Sequence, residues 1–173
     1  MIDNLWAGWR NRYLSSLLSD TGTVSSEGSV FTRILESGLS DDDTYIVYRG
    51  TRVFVILNAY PYCTGHLMVL PYREVRNLDD LDPDETGELW SMVTVACRAI
   101  RAEYSASGMN VGINMGSASG GSIDEHLHVH VVPRWVGDSN FLATTANTKA
   151  MPEALDITAT RLRRAILTTL EAS

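Results

Sequence analysis

Cysteine is nearly absent: Cys63 and Cys97 are the two thiols in 173 residues. That excludes a disulfide framework and leaves reduced thiols as the default expectation. Long apolar runs are missing as well. No 18-residue window is apolar throughout, so no spanning helix is expected. The start, MIDNLWAGWRNRYL, has an early acidic residue and no apolar core of the kind a secretory leader needs. The expected compartment is therefore the cytoplasm, with no membrane partner. Positive charge is scarce: 14 Lys and Arg stand against 21 Asp and Glu, a formal net charge of −7. A general nucleic-acid binder carries a basic surface, so that class is disfavoured. A small anionic ligand is not, because a few local groups decide its binding. Repeats and low-complexity tracts are lacking, and the nearest approach to a linker is SDTGTVSSEGS, residues 19–29.

Histidine is also rare, with four in the chain, yet three of them stand in one stretch, DEHLHVHVVPRW, residues 124–135. The rest is ordinary. A hydrophobic content of 45% and a charged content of 20% suit one globular domain with a real core. Residues 4–18 read as a short helix with Trp6, Trp9, Tyr13 and Leu14 near one face. TYIVYRGTRVFVILN reads as a β-hairpin turning at Arg49-Gly50-Thr51, and HLMVLPY as a third strand. A strong helix follows: Asp82 is the N-cap, Pro83 takes the first helical position and Glu85 completes a capping box. Leu89, Val93, Ala96, Ile100 and Tyr104 make its buried stripe, and it is expected to end near Gly108. MNVGINMG and HLHVHVV read as two further strands. A last helix is expected from about Pro152, with Leu155, Leu162, Ile166 and Leu170 facing inward. This order predicts an α+β fold: an antiparallel sheet of about five strands with helices packed to one side.

Alternate side chains of a strand share a face, so His126, His128 and His130 point one way and Leu127, Val129 and Val131 the other. Neighbouring histidines are then about 6.7 Å apart. Three imidazoles buried without partners would be costly. Three roles compete. They are structural, hydrogen-bonded residues; or two of them hold a metal ion, imidazole being a common zinc ligand; or the middle one is a nucleophile that its neighbours position, since histidine forms covalent intermediates and exchanges protons near neutral pH. The upstream NMGSASGGSIDEH offers backbone N–H groups and hydroxyls in a glycine- and serine-rich turn, which suits phosphate oxygens. With Arg134 following in PRW, the combination points to phosphoryl chemistry, while Asp124 and Glu125 keep the metal reading open.

His126-Leu127-His128-Val129-His130-Val131-Val132 resembles the signature of the histidine triad (HIT) family. VILNAYPYCTGHLMVLPYR is similar to that family's upstream segment, giving Asn58, Pro61, Gly65 and His66. The resemblance covers roughly residues 29–135, with 1–28 as an N-terminal extension and 136–173 as a C-terminal loop and helix. LWAGWRNRYL, NVGINMGSASGGS and HLHVHVVPRW look most like the branch containing bacterial diadenosine tetraphosphate phosphorylases. The resemblance implies that His128 attacks the α-phosphorus of a nucleotide and forms a nucleotidyl-histidine. It gives His130 to the phosphate and leaving group, and a supporting role to His126 and His66. It gives Asn58 to the ribose, and Asn114 with the Gly121–Ser122 turn to phosphate oxygens. Ser122, Asn114, Arg134 and Trp135 are candidates for an anion pocket that would admit inorganic phosphate as second acceptor, with core packing as the alternative for Trp135. Water as acceptor would make a hydrolase of dinucleoside polyphosphates or phosphoramidates, and little turnover would mark a nucleotide sensor. A homodimer or larger assembly is expected. Many members open with Cys-x-x-Cys before a strand reading RIL, forming a structural zinc site with histidines. Here SVFTRIL puts Ser29 and Thr32 in those places, and hydroxyls are poor zinc ligands. No resident metal is expected, apolar packing through Val30 and Phe31 is expected to hold the segment, and any Mg²⁺ would arrive on the nucleotide.

Overall fold

The computed structural model describes residues 3–4, 28–121, 123–138, 148–149 and 153–172. Of the helix expected over 4–18, Asn4 alone is described, and it pairs in a strand; residues 5–18 and the site candidate Ser122 lie outside the described residues. A two-residue parallel pairing joins β1 (Asp3–Asn4) to β7 (Thr148–Lys149). The main sheet contains β2 (Ile46–Arg49), β3 (Val53–Leu57), β4 (Leu67–Pro71), β5 (Gly108–Ile113) and β6 (Val129–Arg134), in the spatial order β2-β3-β4-β6-β5 with every pairing antiparallel.

The two central apolar strands, VFVIL and LMVLP, are buried at every position. A strand buried on both faces needs cover on both. Val53, Val55, Leu57, Leu67 and Val69 face one way, into a core shared with α3 (Pro83–Tyr104) and α4 (Leu155–Glu171). Phe54, Ile56, Met68 and Leu70 face the other way, where α1 (Val30–Glu36), followed by a short α2 (Asp41–Thr44) before β2, covers them with Phe31 and Ile34. Each such side chain contributes roughly 1.5–3 kcal/mol by leaving water. The helices therefore do not all pack to one side. The segment expected to be a strand reading RIL is a helix, because Ser29 caps it by accepting from Thr32 N and the apolar pair Phe31/Ile34 recurs at three residues, one helical turn.

Helix α3 begins as its sequence predicts. Asp82 accepts from Glu85 N at 2.8 Å while Glu85 accepts from Asp82 N at 2.9 Å. Arg73 pairs with Glu85 at 2.7 Å and holds its carboxyl well below the usual range, at about 2. The helix ends at Tyr104, earlier than expected, where Ser105 turns left-handed with φ 49°. Gly108 then opens β5 rather than closing the helix. Likewise α4 starts at Leu155, after an Ala154 cap. Among the described residues no helix is long and apolar enough to cross a membrane.

Candidate active site

The histidine row begins just before β6. Val129 to Arg134 form the strand, and His126 to His128 lead into it in irregular backbone. His130 pairs across the sheet with Met68 of β4 and Gly112 of β5. The row lies on the α1 side, whereas Leu127, Val129 and Val131 join the core beneath α3. His126 and His128 are buried, with Phe31 of α1 against both rings at 5.5 Å. His66 is also fully buried. Gly65, with φ +82°, supplies the left-handed turn that delivers His66 into the cluster, which explains the Gly-His pair.

Hydrogen bonding fixes every tautomer. A ring that accepts at one nitrogen is neutral and carries its proton on the other. Tyr62 N–H donates to His66 Nδ1 at 3.1 Å, so His66 Nε2–H donates to His130 Nδ1 at 2.9 Å. His130 then carries its remaining proton on Nε2. His128 Nδ1–H donates to the His126 carbonyl oxygen at 2.8 Å, which leaves the lone pair on His128 Nε2. The two rings meet edge-on, 4.8 Å between centroids. Burial lowers the pKa of His126 and His128, and burial followed by the nearby His128 lowers that of His130 to about 4. The row is thus neutral near pH 7: a free imidazole lone pair on His128 stands beside a neutral N–H donor on His130.

A cavity of about 470 Å³ opens over this pair. Val30, Phe31, Ile34, Ile56, Met68 and Ile123 form an apolar wall, and Asn58, Asn114, Gly121, His128 and His130 bring polar groups. Asn58 Oδ1 accepts from Tyr60 N at 2.8 Å, which turns its amide nitrogen into the available donor. Gly121 passes so close to Asn114 that a Cβ on it would sit 2.9 Å from the Asn114 Cβ. The structure thus brings together His66, His128, His130, Asn58, Asn114 and Gly121, with His126 behind them. Arg134 and Trp135, expected to help build an anion pocket, do not line this cavity. The Arg134 guanidinium is committed to Asp138 at 2.7 and 2.8 Å and to Asn110 at 3.0 Å. Trp135 Nε1 donates to Tyr104 O at 3.1 Å and its ring packs on the core.

Some site residues carried no sequence signal. Tyr62 lies over His66 and His130, at 4.5 and 6.0 Å between centroids. Helix α1 contributes three wall residues from a segment read as a strand. Most unexpected is Glu74, whose carboxylate joins Ser29 and Thr32 behind His126. The segment is therefore not held by apolar packing alone.

A neutral histidine row buried at His126 and His128 and half-buried at His130, a fourth histidine wired to it and a cavity with polar groups at one end define the class: the chain belongs to the HIT family, whose HIT domain model matches residues 40–136. Over 156 residues the chain is 43% identical to the AP-4-A phosphorylase of Mycobacterium tuberculosis, covering 89% of this chain and 79% of that protein. It is 36% identical over 93 residues to a bis(5'-nucleosyl)-tetraphosphatase [asymmetrical] of Schizosaccharomyces pombe, 54% of this chain and 50% of the other. Among solved structures, a Zn-bound histidine triad family protein from Mycobacterium smegmatis superposes with a TM-score of 0.70 at 26% identity, covering 86% of this chain and all of that one.

Proposed function

We propose that this chain is an enzyme that cleaves dinucleoside polyphosphates through a nucleotidyl-His128 intermediate, with diadenosine tetraphosphate as substrate and inorganic phosphate as second acceptor. The observation that carries this reading is the fixed pair of tautomers: a lone pair on His128 Nε2 and a proton on His130 Nε2, side by side in one cavity. In the first step His128 Nε2 attacks the α-phosphorus, and the bond from that phosphorus to the bridging oxygen breaks. ATP leaves, its bridging oxygen facing the His130 Nε2–H donor. The imidazole gains positive charge as it is nucleotidylated, and its Nδ1–H bond to the His126 carbonyl strengthens accordingly. In the second step a phosphate oxygen attacks the same phosphorus, the P–N bond breaks, and ADP forms with His128 regenerated. Asn58 is assigned to the ribose hydroxyls, and Asn114 with the Gly121 turn to phosphate oxygens.

The test is incubation with diadenosine tetraphosphate, with and without phosphate, and resolution of products. ADP plus ATP, dependent on phosphate, is expected. AMP plus ATP would instead mark a hydrolase, in line with the tetraphosphatase similarity, and tight binding without turnover would mark a sensor. A homodimer is proposed as well: β5 is a sheet edge with Asn110, Val111 and Gly112 exposed, the kind of edge that invites pairing. A monomer by light scattering at micromolar concentration would refute it. A reducing, cytoplasmic setting suits Cys63 and Cys97, neither of which is in a disulfide.

A further inference from the structure

Ser29 and Thr32 stand where the family resemblance expects zinc-binding thiolates, and the structure shows what surrounds them. Ser29 Oγ lies 2.8 Å from His126 Nδ1 and 3.1 Å from Thr32 Oγ1. Thr32 Oγ1 lies 2.5 Å from Glu74 Oε2, which also accepts from Ser29 N at 2.7 Å. His126 Nε2 lies 2.9 Å from Pro71 O. A carbonyl only accepts, so His126 carries its proton on Nε2, and Nδ1 must accept from the Ser29 hydroxyl. A carboxylate only accepts, so the Thr32 hydroxyl proton points at Glu74. Both hydroxyl protons are then used, one on His126 and one on Glu74, so none remains for the 3.1 Å contact between Ser29 and Thr32. Ser29 is held instead by its own N–H, donated to Glu74, and by accepting from Thr32 N at 3.1 Å. These groups do not fit a zinc ion. Among the described residues, Glu74 and His126 are the customary ligands at this point, too few to close a tetrahedral site, and the His126 Nδ1 lone pair is already taken. Among the described residues no group of three or more His, Cys, Asp or Glu side chains is placed to hold a metal.

We propose that Glu74 is a positioning residue for the nucleophile: fixed by the Thr32 hydroxyl, its carboxylate holds the Ser29 backbone N–H, so that the Ser29 hydroxyl clamps His126 and sets His128 without a metal. Three links carry the position forward. The His126 carbonyl takes the His128 Nδ1–H at 2.8 Å. Leu127 N donates to the carbonyl of Val75, the neighbour of Glu74, at 2.6 Å. Phe31, two residues from Ser29, lies against both imidazoles. Residues 74–75 thus grip 126–128 by side chain and by backbone. Glu74 itself is exposed, so replacing it opens no core cavity.

The proposal rests on the functional reading above, and its test separates the two. Kinetics with diadenosine tetraphosphate and phosphate are compared for wild type, Glu74→Ala, Glu74→Gln and Thr32→Val, alongside metal analysis of the wild type. Misplacing a nucleophile by about 1 Å costs on the order of 100-fold. Glu74→Ala and Thr32→Val are therefore expected to lose about 10- to 100-fold in kcat with KM little changed. Glu74→Gln, whose amide oxygen accepts both bonds, should recover most of that loss. Unchanged kcat in Glu74→Ala, a Gln variant no better than Ala, or one zinc per wild-type chain would each overturn the clamp. A wild type that does not consume the dinucleotide would overturn the functional reading instead. Hydrogen exchange at the Leu127 amide then decides the clamp: slow in wild type and Glu74→Gln but fast in Glu74→Ala supports it, and equal rates in all three overturn it.

Discussion

Acid should weaken this protein at a particular ring. A charged His130 would carry a proton on Nδ1, facing the His66 Nε2–H at 2.9 Å. His66 cannot turn its proton away, because its other nitrogen is bound to the Tyr62 backbone N–H. Protonation therefore sets two donors against each other, in addition to the burial that brings His130 from 6.5 to about 4. In the unfolded chain the ring charges near 6.5, so the unfolded state binds the proton first as pH falls. The stabilisation is complete above pH 6.5 and is lost progressively as pH falls to about 4. At 1.36 kcal/mol per tenfold change in proton affinity, the depression amounts to about 3 kcal/mol. The assay is urea denaturation at pH 7 and pH 4 for wild type and His130→Gln, whose amide neither titrates nor removes the acceptor for His66. His126 and His128, also lowered, act in both proteins and largely cancel in the comparison. The wild type is expected to lose about 3 kcal/mol more than the variant over this range. Equal losses would refute the wire as drawn, and so would a wild-type acid limb of kcat/KM near pH 6.5, the pKa of an ordinary histidine.

Other perturbations separate chemistry, site shape and scaffold. His128→Ala removes the nucleophile and should cost on the order of 10⁴-fold or more in turnover while nucleotide affinity by calorimetry changes little; unchanged turnover would refute the assignment. Gly121→Ala puts a methyl 2.9 Å from the Asn114 Cβ, and a steric cost of about 1.4 kcal/mol would appear as about a tenfold rise in KM. An unaltered KM would remove the Asn114–Gly121 turn from the site. Gly50→Ala puts a Cβ 2.2 Å from Glu88 Oε1, the oxygen that holds the hairpin turn through Thr51 N and Arg52 N. It should destabilise by about 1–3 kcal/mol in thermal unfolding with kcat unchanged. Full stability would show that Glu88 is dispensable to the turn.

The parts legible in the sequence were those with local causes. The hairpin from Ile46 to Leu57 and the Asp82–Glu85 capping box are written in neighbouring residues, and they formed as read. Helix α1 departs from the strand that the family resemblance implies at RIL, because the Ser29 cap and the waiting apolar sheet face favour a helix. In the site, four histidines are conspicuous in any sequence that has only four. Glu74 is not, since its partners Ser29 and Thr32 are 45 and 42 residues away and nothing in PYREV announces them. Arg134 misled by adjacency. Four residues along a strand is about 13 Å, so a cation that follows the histidines in sequence is carried past them in space.

The wire through His66 has a property that hydroxyl or water wires lack. It starts at a peptide N–H, a group that cannot rotate to offer a lone pair. Directionality is therefore written into the covalent chain: the Tyr62 amide can only give, so His66 can only pass on, and His130 always presents hydrogen to the cavity. No ring has to be sorted into the right isomer before a turnover begins. The same logic names an unusual point of failure, since proline at position 62 would silence the wire while touching none of the four histidines.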